Sequence, residues 1–242
     1  MRTVAFTVTA LCCFLLAMPA KAQPIPPNQD PEDERKLGLW IDQSLSYSLS
    51  ADRSLDFGFE QRLDEQATNL FVYFFQAGVS FRVRPWLTIK PFYRYMRFPG
   101  DATTSYENRL LVDSTVRRPR GRWRPNLRVR TEGRFPENRI ASARLRLRPG
   151  IDYTLPLHMR RPPVVAVNNE FFVVVGADSF AAASKFTQDR LLAGVSLPIT
   201  DSFTIRPYYM RQWVNPPRGW DGNPVIGISL SIKVDGLVRK FH

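Results

Sequence analysis

Polar and apolar residues alternate along most of this chain, and arginine occupies the polar positions in two neighbouring stretches. Arg128, Arg130 and Arg134 share one parity with Asn126 and Glu132, while Leu127, Val129 and Thr131 hold the other. Arg144, Arg146, Arg148 and Asp152 then alternate with Ala143, Leu145, Leu147, Ile151 and Tyr153. Successive side chains of a strand point to opposite faces, so each stretch predicts a strand with one charged and one apolar face. In a water-soluble barrel the apolar face turns inward. In a membrane barrel it meets lipid and the charges line the interior.

From Leu37 onward, period-two segments follow one another with no helical pattern between them. Strands are predicted near 37–50, 54–64, 69–84, 86–98, 107–117, 122–134, 140–155, 164–175, 188–199, 203–214 and 224–234. Most run to ten residues or more, longer than soluble strands and suited to tilted strands that cross a bilayer. Tight turns fall near Ala51-Asp52-Arg53, Arg84-Pro85, Arg118 to Gly121 and Thr200-Asp201-Ser202. Longer loops fall near 99–106, 135–139, 176–187 and 215–223. Short turns at one end and long loops at the other are the habit of outer-membrane barrels.

Residues 77–93 align without a gap on residues 193–209, with eight of seventeen positions identical, Pro91 and Pro207 among them. The repeated unit reads as a strand–turn–strand hairpin, the building block of an up-and-down barrel. Two features strain that picture. Pro91, Pro125, Pro149 and Pro207 lie inside predicted strands, where each removes a ladder hydrogen bond. The predicted segments also number eleven, whereas bacterial single-chain barrels have even counts. Either Asp235-Gly236 turns into a twelfth strand at Leu237–Phe241, or one segment is false and the count is ten. The expected fold is an all-β antiparallel up-and-down transmembrane barrel of 10–12 strands.

The N-terminus indicates the compartment. Arg2 precedes an apolar run from Val4 to Leu16, and Ala20-Lys21-Ala22 forms an A-x-A cleavage site. Residues 1–22 read as a signal peptide, residues 23–36 as a Pro-rich acidic lead-in, and residues 37–242 as the barrel. Both cysteines, Cys12 and Cys13, lie in the signal. The formal charge of +12 falls to +10 without Arg2 and Lys21. Such a balance favours anionic partners, and export argues against nucleic acid. The outer membrane is the expected location, with its lipid and lipopolysaccharide, the barrel-assembly machinery and small anions as expected partners.

Outward parity is clearest in Phe71, Tyr73, Phe75, Ala77, Val79, Phe81 and Val83, set against Gln76, Gly78, Ser80, Arg82 and Arg84. Trp40, Trp86, Trp123, Phe203, Trp213 and Trp220 suit interfacial aromatic girdles. The candidate lumen charge network comprises Glu107, Arg109, Arg128, Arg130, Glu132, Arg134, Arg144, Arg146, Arg148, Asp152, Glu170 and Arg190. Charges in a narrow barrel must be paired or hydrated, so Glu107, Glu132, Asp152 and Glu170 are expected to bridge neighbouring arginines. The same surplus of arginine fits a structural filling, a narrow anion-preferring pore, or a site for lipopolysaccharide, phospholipid or another anion.

Catalysis has little support. A serine hydrolase needs an activating base. Of the two histidines, His158 lies in a Pro- and Arg-rich turn and His242 is the last residue. Glu132 and Glu170 suit ion pairing better than acid–base work. No metal-ligand spacing, phosphate-cradling glycine loop or cofactor motif occurs. An envelope lipid hydrolase is therefore the third reading, behind two non-enzymatic ones.

Taken in order, several short motifs resemble the bacterial family known as domain of unknown function 2490. They include Leu39-Trp40, the Arg82 to Trp86 turn, Tyr93-Arg94-Tyr95, Glu107-Asn108-Arg109 and Arg128-Val129-Arg130-Thr131-Glu132. Arg144-Leu145-Arg146, Asn169-Glu170-Phe171-Phe172, Asp189-Arg190 and Gly227 to Ile232 continue the series. The resemblance implies an outer-membrane barrel and no particular activity. Here the tail runs past Ile232 to Phe241-His242, beyond where the aromatic end of a last strand is expected.

Overall fold

The computed structural model describes residues 37–64, 67–100, 104–137, 141–175, 186–214 and 221–236. Eleven strands close into one barrel: β1 (Gly38–Ser48), β2 (Arg53–Asp64), β3 (Asn69–Arg84), β4 (Leu87–Phe98), β5 (Ser105–Arg117), β6 (Trp123–Pro136), β7 (Ser142–Thr154), β8 (Val164–Val175), β9 (Phe186–Pro198), β10 (Phe203–Val214) and β11 (Asp221–Asp235). Neighbours in sequence pair antiparallel throughout.

The count is neither ten nor twelve. Every period-two segment is a strand, and an odd number obliges the closing pair to run parallel. β1 and β11 meet in parallel register from Gly38 opposite Val225 to Ser48 opposite Asp235. The suggested twelfth strand lies outside the described residues. One consequence is that β1 starts at the end carrying the longer connections, while β11 finishes at the short-turn end beside the β1–β2 turn.

The prolines are absorbed by their position. Pro91, Pro125, Pro149 and Pro207 all sit in strands and on the outward parity. The β3–β4 ladder skips the pairs around Pro91, the β7–β8 ladder those around Pro149, and the β9–β10 ladder those around Pro207. The repeated hairpins, β3–β4 and β9–β10, share one device at this gap: a glycine faces the aromatic residue that follows the proline. A Cβ on Gly78 would lie 2.3 Å from Phe92 Cβ and 2.5 Å from the Pro91 carbonyl oxygen. One on Gly194 would lie 2.8 Å from Tyr208 Cβ and 3.0 Å from the Pro207 carbonyl oxygen. Both glycines let the strands close up where the proline has removed a hydrogen bond.

The two faces are sorted inside out relative to a soluble protein. Leu110, Phe75, Phe57, Tyr209, Ile226 and Leu191 stand exposed on the outer wall. Arg94, Glu107, Arg109, Arg130, Glu132, Arg146, Glu170 and Arg190 are buried inside. Two residues depart from the expected sides. Phe71 sits at the irregularity where the β2–β3 register shifts, and it packs against the inner cluster of Val72, Phe74 and Met96. Trp40 is buried against Met210 and Val225 within the barrel and belongs to no interfacial girdle. Trp86 and Trp123 do lie exposed at the short-turn rim.

Candidate functional site: a ring of arginines and aromatics across the lumen

The inner charges of β5 to β8 gather on four carboxylates. Glu107 accepts Arg109 Nε at 2.6 Å and Arg134 Nε at 2.8 Å. Glu132, whose side chain has no exposure, accepts two nitrogens of Arg144 at 2.8 and 2.6 Å and Arg146 Nη1 at 2.8 Å. Arg109 and Arg130 complete its surroundings at 3.8 and 3.9 Å. Glu170 receives two nitrogens of Arg146 at 3.1 and 2.8 Å and a hydrogen bond from Arg128. Asp113 is held in a two-pronged grip by Arg130 at 2.5 and 2.7 Å, with Arg128 at 3.9 Å.

These contacts make a circuit: Glu132, Arg146, Glu170, Arg128, Asp113, Arg130 and back to Glu132. The planar fork of arginine lets one side chain hold two carboxylates at once, which lysine could not do in the same plane. Burial of so many ions is tolerated because each carboxylate has at least two cationic neighbours. Coulombic attraction then offsets a desolvation cost of several kcal/mol per ion.

Three of the twelve candidate residues stand apart from these ion pairs among the described residues. Arg190 donates to the Gln212 amide oxygen at 2.8 Å. Asp152 faces Arg124 across the β6–β7 register and, among the described residues, forms no ion pair. Arg148 also has no ion pair among them, and its Nε is buried without a hydrogen-bond partner. Asp113 takes the bridging place that the sequence reading gave to Asp152.

On the other side of the lumen aromatic rings supplement a single carboxylate, Glu60, which accepts Arg62 Nε at 2.6 Å. The Arg62 guanidinium lies 3.7 Å from the centroid of Trp40, and Arg94 lies 4.0 Å from that of Phe74. Arg62 is also within 5.4 Å of Phe74, and Arg94 within 5.9 Å of Phe92. Arg130 stands 5.0 Å from Phe92 and joins Arg146 through Glu132. Arg146 covers Phe172 at 4.4 Å, and Arg190 spans Phe172 at 4.7 Å and Trp40 at 4.8 Å. Cations and rings thus alternate around the barrel and return to Trp40. A desolvated cation over a ring gains up to about 2 kcal/mol, which stabilises Arg94 and Arg190, neither of which forms an ion pair among the described residues.

The ring forms a waist. Trp40, Arg62, Arg94, Arg146 and Arg190 border both a chamber of about 230 Å³ toward the long-loop end and one of about 260 Å³ below. The lower chamber is mixed in charge. Asp42 and Glu60, opposed in the β1–β2 register, lie on one wall, and Arg128 and Arg148 on the other. Sequence parity could have placed Phe74, Phe92 and Phe172 inside, since each shares the parity of charged or amide neighbours.

Residues 37–223 match the family described as "Protein of unknown function (DUF2490)". The chain belongs to this family. The match takes in β1 to β10 and the start of β11, so the DUF2490 region contains every residue of the waist. Among solved structures the chain is similar to the siderophore receptor PirA from Pseudomonas aeruginosa, at 15% identity and a TM-score of 0.31. That similarity covers 75% of this chain and 34% of the receptor, so the chain spans about a third of the receptor's length. A search of curated proteins finds no match.

Proposed function

We propose that this chain is exported, loses residues 1–22, and spans the outer membrane as a non-enzymatic barrel whose arginine-rich lumen is closed at the waist. Residues 23–36 are its lead-in and residues 37–242 the barrel unit. The observation that carries this reading is the sorting of faces: exposed Leu110, Phe75 and Tyr209 outside, buried Glu132, Arg146 and Glu170 inside. An apolar outer wall of this extent costs free energy in water and none in lipid. A strand of twelve residues such as β4 extends ~40 Å and, tilted ~45°, covers roughly 28 Å, close to the ~30 Å hydrocarbon core. In this orientation the short turns face the periplasm.

The waist favours a structural role over bulk passage. Residual permeation, where it occurs, prefers anions, because arginines outnumber carboxylates at the narrowest level. Refolding the full chain into lipid vesicles tests the reading. Heat-modifiable gel migration and a membrane-protected fragment are expected, with no sustained conductance steps in a planar bilayer. A soluble chain that migrates identically with and without heating overturns it.

A second reading, an anion held in the lower chamber, draws on Arg148, whose buried Nε has no hydrogen-bond partner among the described residues, and on Arg206, whose Nε donates to the neutral Ser196 Oγ at 2.7 Å and which forms no ion pair among them. The hydrolase reading gains nothing from the geometry: Glu132 and Glu170 are both occupied by arginines, and His158 lies in an exposed turn.

A further inference from the structure

The lumen absorbs most of the buried arginines but leaves a second group untouched, at the short-turn rim of the barrel. Arg117, Arg118, Arg120 and Arg122 fall within six residues of the β5–β6 turn, and Arg84 ends β3 beside them. All five are exposed. Among the described residues none of them forms an ion pair. Five like charges on adjacent turns repel one another, so the cluster costs stability unless something anionic meets it.

The cluster is held in shape by backbone and rings. The Arg117 amide donates to the Trp86 carbonyl at 2.9 Å, which joins the β5–β6 turn to the β3–β4 turn. Arg120 and Trp123 exchange hydrogen bonds at 2.8 and 3.1 Å around Gly121, whose φ of +58° the tight turn requires. The Thr154 amide donates to the Arg122 carbonyl at 2.9 Å, which adds the end of β7. The Arg118 guanidinium lies 5.1 Å from the Trp86 ring centroid. Trp86 and Trp123 are themselves exposed at this rim, at the depth where indoles settle in a headgroup layer.

Above the cluster, on the same strands, the outer wall is indented. An open apolar groove of about 810 Å³ runs across β3 to β7. Its floor is made of small or ring-restricted residues: Ala77, Pro91, Thr131, Gly133 and Ala143. Register explains why it is continuous. Ala77 pairs with Tyr93, Tyr93 with Leu110, Leu110 with Gly133 and Gly133 with Ala143, while Pro91, Val112 and Thr131 line up in the next outward row. From Val112 to Arg118, the nearest headgroup arginine of this hairpin, the chain advances six residues, ~20 Å of strand, or about 14 Å of depth at a ~45° tilt. That is within the ~15 Å thickness of one leaflet of hydrocarbon.

The geometry points to a bound anionic phospholipid: its phosphodiester headgroup on Arg84, Arg118, Arg120 and Arg122, and an acyl chain in the groove that ends at Gly133 and Ala143. This rests on the membrane-barrel reading and adds to it a surface, a leaflet and a ligand class. Charge complementarity selects an anionic over a zwitterionic lipid. The groove selects a lipid over a soluble polyanion, since a polymer of phosphates would use the rim and leave the groove empty. The short-turn position selects the leaflet opposite the one that borders the longer loops.

The test uses the full chain reconstituted in nanodiscs containing equal amounts of phosphatidylglycerol and phosphatidylcholine, with retained lipid counted by native mass spectrometry. The parent chain is expected to keep phosphatidylglycerol in preference to phosphatidylcholine. The variant R118Q/R120Q/R122Q is expected to reduce that preference by about tenfold or more. Ala143→Phe, which fills the groove from an exposed position, is expected to reduce retained phosphatidylglycerol while leaving the rim charges in place. Heat-modifiable migration of each variant certifies a folded barrel. Equal retention by parent and both variants overturns the proposal, as does retention of lipopolysaccharide in place of phospholipid. Binding of a soluble polyanion undiminished by Ala143→Phe, without lipid preference, also overturns it. Failure of the parent chain to insert would instead refute the membrane reading itself.

Discussion

Arg62 and Trp40, opposite one another in the β1–β2 register, stack with the guanidinium 3.7 Å from the indole centroid. Arg190 approaches the same indole at 4.8 Å, so one buried ring holds two cations from opposite sides of the β1–β11 seam. Trp40 and Phe74 are the bulkiest uncharged parts of the waist on this side of the lumen. Truncating both, in W40A/F74A, is expected to join the two chambers. Planar-bilayer recording should then give anion-selective steps where the parent chain gives none. Silence from a folded double variant would show that the arginine–carboxylate side alone closes the lumen.

Glu132 neutralises the centre of the circuit. Glu132→Gln leaves Arg144 and Arg146 with reduced compensation in a buried setting and is expected to cost about 3–5 kcal/mol. Asp152→Asn, at a carboxylate with no ion pair among the described residues, should fall within about 0.5 kcal/mol of the parent. Urea midpoints of the vesicle-inserted protein compare the two. Equal losses would mean that the ion pairs at Glu132 contribute nothing beyond general burial.

Gly78 and Gly194 occupy matching places in the repeated hairpins but differ in clearance. Gly78→Ala would drive a methyl into Phe92 Cβ and the Pro91 carbonyl, so β3 and β4 must move apart. A cost of about 1–3 kcal/mol is expected. Gly194→Ala meets its neighbours at 2.8 and 3.0 Å and should cost less. The same urea titration ranks them, and the reverse order would refute the account of the pinch.

Outside the membrane-spanning segments, Asp201 accepts Arg161 Nε at 2.7 Å and Arg160 Nη2 at 3.1 Å, tying the β9–β10 turn to the β7–β8 turn. The Arg161 hydrogen bond holds the Asp201 carboxyl below its ordinary value. A depressed carboxyl stabilises the folded state above the unfolded value of ~3.9, and that contribution is lost as pH falls through its own lower value. Pepsin nicking at Leu157 and Met159, both exposed, should therefore accelerate as pH drops below about 4. In Asp201→Asn, nicking should be fast at every pH tested. A parent chain with flat nicking across that range would show that the tether does not order the turn.

What the sequence determined by itself is local. The alternation of side chains located the strands: β3, β8 and β10 begin and end where the period-two pattern does, at Asn69–Arg84, Val164–Val175 and Phe203–Val214. It also put the arginines of β6 and β7 on one face. Period two is a property of a single strand, so no partner is needed to read it. Closure required the fold. That β11 pairs with β1, and in parallel, depends on strands nearly two hundred residues apart, which no local pattern reports. The choice of Asp113 over Asp152 as a bridge, and the turning inward of Trp40, were settled in the same way. Which side chains meet across a barrel is set by strand stagger and by the reach of arginine over several strands. Both are properties of the closed cylinder, so the waist was absent from the sequence as a pattern although each of its residues was present.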